Sequence, residues 1–202
     1  MIIAITGTPG TGKTSVCKAL GLEVMDLNRA IKEERFYTGV DNERGSLIVD
    51  LDKVEEYVEK VHKEDFSKAR KRRRNLLLLI ESHLAHFLKP DIAIVLRANP
   101  LLLIERLKQK GFPAQKIAEN VEAETLDVIL AEAVELCEIV YEIDTSEKGI
   151  EDVASTVRAI IDTEMTGEKK GKKVDEIRET YKPGSVNWSR YIEKVCLAET
   201  NP

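Results

Sequence analysis

Cysteine is scarce in this chain. Cys17, Cys137 and Cys196 lie far apart and match no metal-ligand spacing. Reduced, mostly buried thiols in a cytosolic protein are therefore expected. No apolar run approaches the length of a membrane span. No basic segment with an apolar core behind it precedes the glycine-rich stretch at Gly7, so no leader is expected. Together these absences predict a soluble, cytoplasmic protein with no membrane partner. An excess of positive charge is missing too. Lys and Arg number 31 against 36 Asp and Glu, a net charge of -5. No strong free nucleic-acid binding is expected, and any RNA contact would need a local basic patch. Internal repeats are absent.

The 202 residues are 43% hydrophobic and 33% charged, enough for a sizeable core under a well-solvated surface. That length allows one α/β domain with appendages, or at most two small domains. Its most informative stretch is Gly7-Thr8-Pro9-Gly10-Thr11-Gly12-Lys13-Thr14. This fits G-x-x-x-x-G-K-[ST] at every fixed position, after a β-branched apolar run (Ile2–Thr6) and before a helical pattern over 14–20. Strand, glycine loop and helix in that order make a nest of backbone N–H groups at the positive end of a helix dipole. Glycines let the backbone approach phosphate oxygens and adopt positive φ. Lys13 is expected to reach the β- and γ-phosphates, and the Thr14 hydroxyl to bind Mg²⁺. The chain is expected to bind a nucleoside triphosphate. The base-reading motif N-K-x-D of regulatory GTPases is absent.

Residues 22–26 read as a second strand, closed by Asp26-Leu27-Asn28. Asp26 and Asn28 are candidates for holding a ribose or another polyol, and equally good N-caps for the following helix. Residues 36–42 look like a mobile connection, and apolar spacing predicts a helix over 50–62 capped by Asp50. Residues 26–49 are the expected acceptor-covering region. The basic run 70–74 reads as a solvated helix end, an acceptor-phosphate site or a small RNA-facing patch.

Residues 75–81 form an apolar run ending in a carboxylate, Glu81. In phosphate-loop enzymes a strand beside the first delivers an acidic residue next to Mg²⁺, which Glu81 fits directly or through a water. The alternative is a surface acid at a strand end. His83 could orient a water or an attacking oxygen, or be structural; His86 reads as structural. Residues 91–97 are the next strand. Pro100 opens a helix on which Arg106 and Lys110, four apart, share a face and could neutralise charge on a transferred group. Gly111-Phe112-Pro113 breaks it at a short lid over 109–119, and 114–137 reads as one long helix. Residues 138–144 are the fifth strand and 150–161 the closing helix, with Thr145 and Ser146 where the donor's base would lie. Such order predicts an α/β, five-stranded parallel sheet with helices on both faces, ligands sitting beyond the strands' carboxyl ends. Residues 168–173 read as a linker. Trp188, Tyr191, Ile192 and Val195 could form one helical face that packs on a partner or, more ordinarily, on the domain itself.

These blocks, in this order, resemble the adenylate kinase isoenzyme six family, also called the coilin-interacting nuclear ATPase family, and its archaeal members in particular. The residues carrying the resemblance are Gly7 to Ser15, DLN (from Asp26), Gly39 with Asp41, ESH (from Glu81), VLR (ending at Arg97), ERLKQKG (from Glu105), KIAEN (from Lys116) and EID (from Glu142). It covers 1 to about 161, and PGSVNW, from Pro183, resembles an archaeal extension. The resemblance implies a P-loop kinase domain over 1–162, with 163–202 as linker and extension. It implies a broad-specificity nucleoside monophosphate kinase, ATP + AMP giving two ADP, with Mg²⁺ as cofactor, and an ATPase activity. By family pattern ATP is held by Gly10, Gly12, Lys13, Thr14 and Ser15, with Lys110 from the lid. Lys13, Glu81, His83 and Arg106 are the expected catalytic groups. Asp26, Asn28 and Arg97 are the expected acceptor contacts. The family also implies a role in small ribosomal subunit maturation through a ribosomal protein of the S11 type, or an assembly factor whose kinase activity is secondary. Two positions depart from the pattern. Glu81 stands where Asp is frequent, and Lys110 replaces a lid arginine, keeping the charge without the bidentate fork.

Overall fold

The computed structural model describes residues 1–42, 44–72, 77–165 and 171–192. Five parallel strands form the central sheet: β1 (Ile2–Thr6), β2 (Val24–Asp26), β5 (Leu78–Glu81), β6 (Ile92–Arg97) and β7 (Ile139–Asp144), in the order β2-β5-β1-β6-β7. All six residues of β6 are buried, as a strand covered on both faces requires.

Alternation along β1 sends its side chains to two cores. Ile3 and Ile5 join Ile92, Ile94, Leu96 and Tyr141 beneath α1 (Lys13–Leu20) and α7 (Ile150–Met165). Ala4 points the other way, with Ile80, toward α2 (Leu27–Glu33) and α3 (Leu51–Arg72). Ala93 and Val95 of β6 meet α6 (Val128–Leu136) on that same face. The expected two-sided α/β sheet is what the chain forms.

Three local expectations change. Where residues 36–42 were expected to be a mobile connection, β3 (Tyr37–Asp41) pairs antiparallel with β4 (Ser46–Val49). The helix capped by Asp50 runs on to Arg72, so residues 70–72 of the basic run form its last turn; Arg73 and Arg74 lie outside the described residues. The single helix expected over 114–137 is broken into α5 (Ala114–Thr125) and α6, because Asp127 adopts φ 58 between them. Its carboxylate is drawn to the Arg97 guanidinium, which ends the helical path.

Beyond the sheet, Lys172 opens a helix, α8 (Lys172–Thr180), inside the stretch expected to be linker. Ser185 and Val186 then bond Glu142 of β7, while Trp188, only 4% exposed, and Tyr191 pack against α5 and α4 (Pro100–Gln109). Residues 189–191 make one 3₁₀ turn rather than a continuous helical face, and Val195 and Cys196 lie outside the described residues. Cys17 and Cys137 are buried and free, as expected. Among the described residues no helix is long and apolar enough to cross a membrane.

Candidate active site at the phosphate loop

The loop leaves β1 at the carboxyl edge of the sheet. Gly7 has φ 129, and a Cβ there would lie 2.2 Å from the Leu96 carbonyl oxygen, so only glycine lets β6 and the loop approach. Gly12, at φ 97, faces open space and starts α1. The hydroxyl and N–H of Thr11 both donate to the Thr8 carbonyl, at 2.9 and 3.2 Å, which closes the turn.

Lys13 is folded inward. Its Nζ donates to the carbonyls of Gly7 at 2.8 Å and Thr8 at 3.1 Å. Burial pushes its pKa down to about 8, against the opposing pull of Glu81. Both carbonyls are neutral acceptors, and among the described residues no carboxylate lies within hydrogen-bond distance of the ammonium. Such a group is ready to exchange them for phosphate oxygens.

Glu81 ends β5 with its Cα registered against Ile5 and Asp26 in the neighbouring strands. Its Oε2 accepts the Thr14 hydroxyl at 3.2 Å. Burial raises its pKa, and the nearby Lys13 counters that. A carboxylate and a hydroxyl together are hard oxygen donors, the set that suits Mg²⁺ sharing its shell with phosphate and water. The chemistry of the pair fits the expected ion.

A cavity of about 190 Å³ opens at this point, lined by Gly12, Lys13, Thr14, Asn28, Glu81 and His83, and closed by Lys110 and Phe112. It thus gathers residues from β5, α1, α2 and the turn after α4. His83 is held low, at about 4, by burial and then by the Lys13 charge, so its imidazole is neutral at pH 7. Asn28 Oδ1 accepts from Ser82 Oγ at 3.1 Å, which fixes the amide at the cavity wall. Asp26 is exposed and caps α2, accepting from the Arg29 N–H at 3.0 Å.

A second cavity of about 440 Å³ continues on the other side of the loop, lined by Gly10, Ser15, Arg106, Gln109, Lys110 and Thr145. Arg106 also donates to the Gly10 carbonyl at 3.4 Å. Thr145 ties the end of β7 to the loop by donating to the Thr11 carbonyl at 2.9 Å.

Arg97 does not join these residues. It is 1% exposed, with Nε on Glu124 Oε1 at 2.8 Å, Nη1 on Glu142, and Nη2 on Asp127 and on the Glu124 carbonyl at 2.9 Å. Every nitrogen of its fork is engaged, by four hydrogen bonds in all, and the side chain is buried behind the loop. Glu124 had no sequence signal beyond being one acid in a helix. Its neighbour in space is Thr8, whose hydroxyl donates to Glu124 Oε2 at 2.6 Å. Only the packing of α5 against the loop reveals it.

A phosphate-binding loop, an acidic strand end beside it and a parallel sheet in the order 2-5-1-6-7 define a nucleotide-binding protein of the P-loop kind. The AAA-domain family matches residues 3–127. A Methanosarcina barkeri protein named "Putative adenylate kinase" is 44% identical over 192 residues, covering 93% of this chain and 97% of the relative. Its namesake from Archaeoglobus fulgidus is 40% identical over 194 residues, covering 96% and 94%. Among solved structures, a shikimate kinase from Acinetobacter baumannii in complex with shikimate overlaps 84% of this chain and 95% of its own at 18% identity, with a TM-score of 0.49. The chain belongs to the AAA-domain family and to the group of archaeal proteins that carry the adenylate kinase name.

Proposed function

We propose that this chain is a nucleoside monophosphate kinase that transfers the γ-phosphoryl group of Mg·ATP to AMP, giving two ADP. The observation that carries this reading is the convergence of Lys13, the Thr14–Glu81 pair and Asn28 on one cavity at the loop. Kinship with archaeal adenylate-kinase-named proteins over nearly the whole chain supports it. Phosphoryl transfer asks mainly for positioning and charge stabilisation, so no covalent nucleophile is needed.

In this reading Gly10, Gly12 and Ser15 hold the phosphates through the loop. Lys13 leaves the Gly7 and Thr8 carbonyls and moves onto the β/γ oxygens. Thr14 and Glu81 hold Mg²⁺, which supplies charge neutralisation on the phosphate oxygens when bound. Arg106 and Lys110 reach in from α4 and the turn after it, the short lid. Asp26, Asn28 and the hairpin β3–β4 cover the acceptor. Arg97 supports the site from behind instead of touching substrate.

A second reading concerns the finer role. His83 is neutral and lines the loop cavity, where an imidazole can orient a water. That favours a slow ATPase beside the kinase, in line with the resemblance to the isoenzyme six family. The same resemblance supports a part in small ribosomal subunit maturation through an S11-type ribosomal protein.

A coupled assay of ADP formation from Mg·ATP, with and without each monophosphate, tests the proposal. Strong stimulation by AMP with two ADP per ATP is expected. Phosphate release indifferent to every acceptor would overturn the kinase reading and leave the assembly ATPase.

A further inference from the structure

The C-terminal strap reaches the phosphate loop through one buried carboxylate. Glu124, 2% exposed, sits at the end of α5. Its Oε1 accepts from Arg97 Nε at 2.8 Å, from the Ala98 N–H at 3.0 Å and from the Trp188 indole N–H at 3.2 Å. Its Oε2 accepts from the Thr8 hydroxyl at 2.6 Å. Thr8 is the second residue of the loop, and its carbonyl receives the N–H and hydroxyl of Thr11 and the Lys13 ammonium. The loop's own bonds thus start from a residue whose side chain is anchored on Glu124.

The strap is held at several further points. Glu142 Oε2 accepts the Val186 N–H at 3.1 Å and the Ser185 hydroxyl at 3.3 Å. The Tyr191 hydroxyl accepts from Asn99 Nδ2 at 2.7 Å, and Asn99 caps α4, the helix that carries Arg106. The Tyr191 ring packs on the Leu103, Leu107, Ile117 and Val121 cluster between α4 and α5. Trp188 meets Tyr191 edge-on, with ring centroids 5.8 Å apart. Three parts of the site are therefore tied to one short segment: the loop, α4 and the base of the lid.

We propose that residues 185–191 are a positioning part of the phosphate loop, in which the Trp188 indole N–H holds the Glu124 carboxylate against the Thr8 hydroxyl. None of the strap's residues lines the two cavities beside the loop. The strap acts by keeping the loop in the shape that receives a phosphate, so that less ordering is left for binding. Trp188 and Thr8 are positioning residues, joined through Glu124. This inference rests on the reading that the loop binds ATP.

The test is the ATP dissociation constant by calorimetry on the full chain, the unsubstituted protein measured first, with Trp188→Phe, Thr8→Val, Thr8→Ser and the Trp188→Phe/Thr8→Val double variant. Phenylalanine keeps most of the apolar packing and removes the donor. Each of Trp188→Phe and Thr8→Val should weaken ATP binding about three- to tenfold, the value of one hydrogen bond. Thr8→Ser, which keeps the hydroxyl, should bind as the unsubstituted chain does. The double variant should be no weaker than the worse single one, because both remove the same connection. The KM for AMP should stay unchanged, a split that a general loss of fold would not give. An unchanged ATP affinity in Trp188→Phe, or losses that multiply in the double variant, would overturn the inference and leave the function standing. Should Trp188→Phe not fold, Thr8→Val and Thr8→Ser decide alone, and equal ATP affinity in those two overturns it. Failure of the unsubstituted chain to bind ATP would overturn the functional reading and this inference together.

Discussion

The Thr14 hydroxyl donates to Glu81 Oε2 at 3.2 Å, across 67 positions of chain. Parallel pairing makes the meeting possible, since β1 and β5 are neighbours and both end at the loop. The pair holds the two oxygen donors where a divalent ion on a triphosphate would need them. Glu81→Gln should keep the fold, lower kcat roughly 10- to 100-fold and raise the Mg²⁺ requirement. A magnesium titration of ADP formation measures both. Burial raises the Glu81 pKa in the free protein, so the acid limb of the kcat/KM profile, which reports the free enzyme, should sit above the ordinary glutamate range. The stability effect has the opposite sense. This carboxyl stabilises the fold most when protonated, below its unfolded pKa, and that contribution is lost as pH rises through the folded pKa.

Lys13→Ala should abolish turnover while the fold persists. The ammonium is buried with its pKa down at about 8, against an ordinary 10.5, so unfolding takes up a proton between those values. Stability should rise with pH from about 8 to 10.5 in the unsubstituted chain and lose that rise in the alanine variant. Thermal melts across the range report it. ATP phosphates favour the charged form, so binding near pH 9 should take up a proton. Calorimetry in two buffers of different ionisation heat would detect the uptake, and its absence would remove Lys13 from the phosphate contacts.

His83→Ala separates the two activities. The imidazole is neutral above about pH 4, so it should not set a limb of the rate profile between pH 5 and 8. Its removal should lower acceptor-independent phosphate release at least about 100-fold, the low end for a positioned acid–base group. AMP-dependent ADP formation should fall far less. Equal losses in both assays would place His83 in the shared chemistry.

Arg97 links three carboxylates, those of Glu124, Asp127 and Glu142. Arg97→Leu leaves buried acids without their cation and should cost about 3–5 kcal/mol, lowering Tm by roughly 10 °C. Arg97→Lys should restore little, because one ammonium cannot replace a fork that meets all three. A lysine variant of full stability with a raised KM for AMP would return Arg97 to the acceptor site.

How much could be read beforehand follows from what each element depends on. The strands of the central sheet were legible as short apolar runs, and the glycine loop as a motif whose backbone needs no partner to be recognised. The hairpin Tyr37–Asp41 with Ser46–Val49 was not, because its strands are short, none of their residues is fully buried, and Gly39 interrupts the first. The break at Asp127 was hidden as well. Local spacing favours continuing the helix, and the cause is an arginine 30 positions away. Arg97 was expected at the acceptor from the family resemblance alone, and at a strand end a cation can face either ligand or core.

The sequence by itself determined the phosphate loop, the class of sheet and the residue types that meet at its carboxyl edge, since these rest on local spacing and strand-length apolar runs. Only the tertiary structure decided which charges are partners. Glu124 became the anchor of Thr8 and Trp188, and Arg97 a buried hub, because α5 and the strap pack over the end of β6. Burial makes an unpaired charge costly, so the packing selects the pairs, and no spacing along the chain encodes that choice.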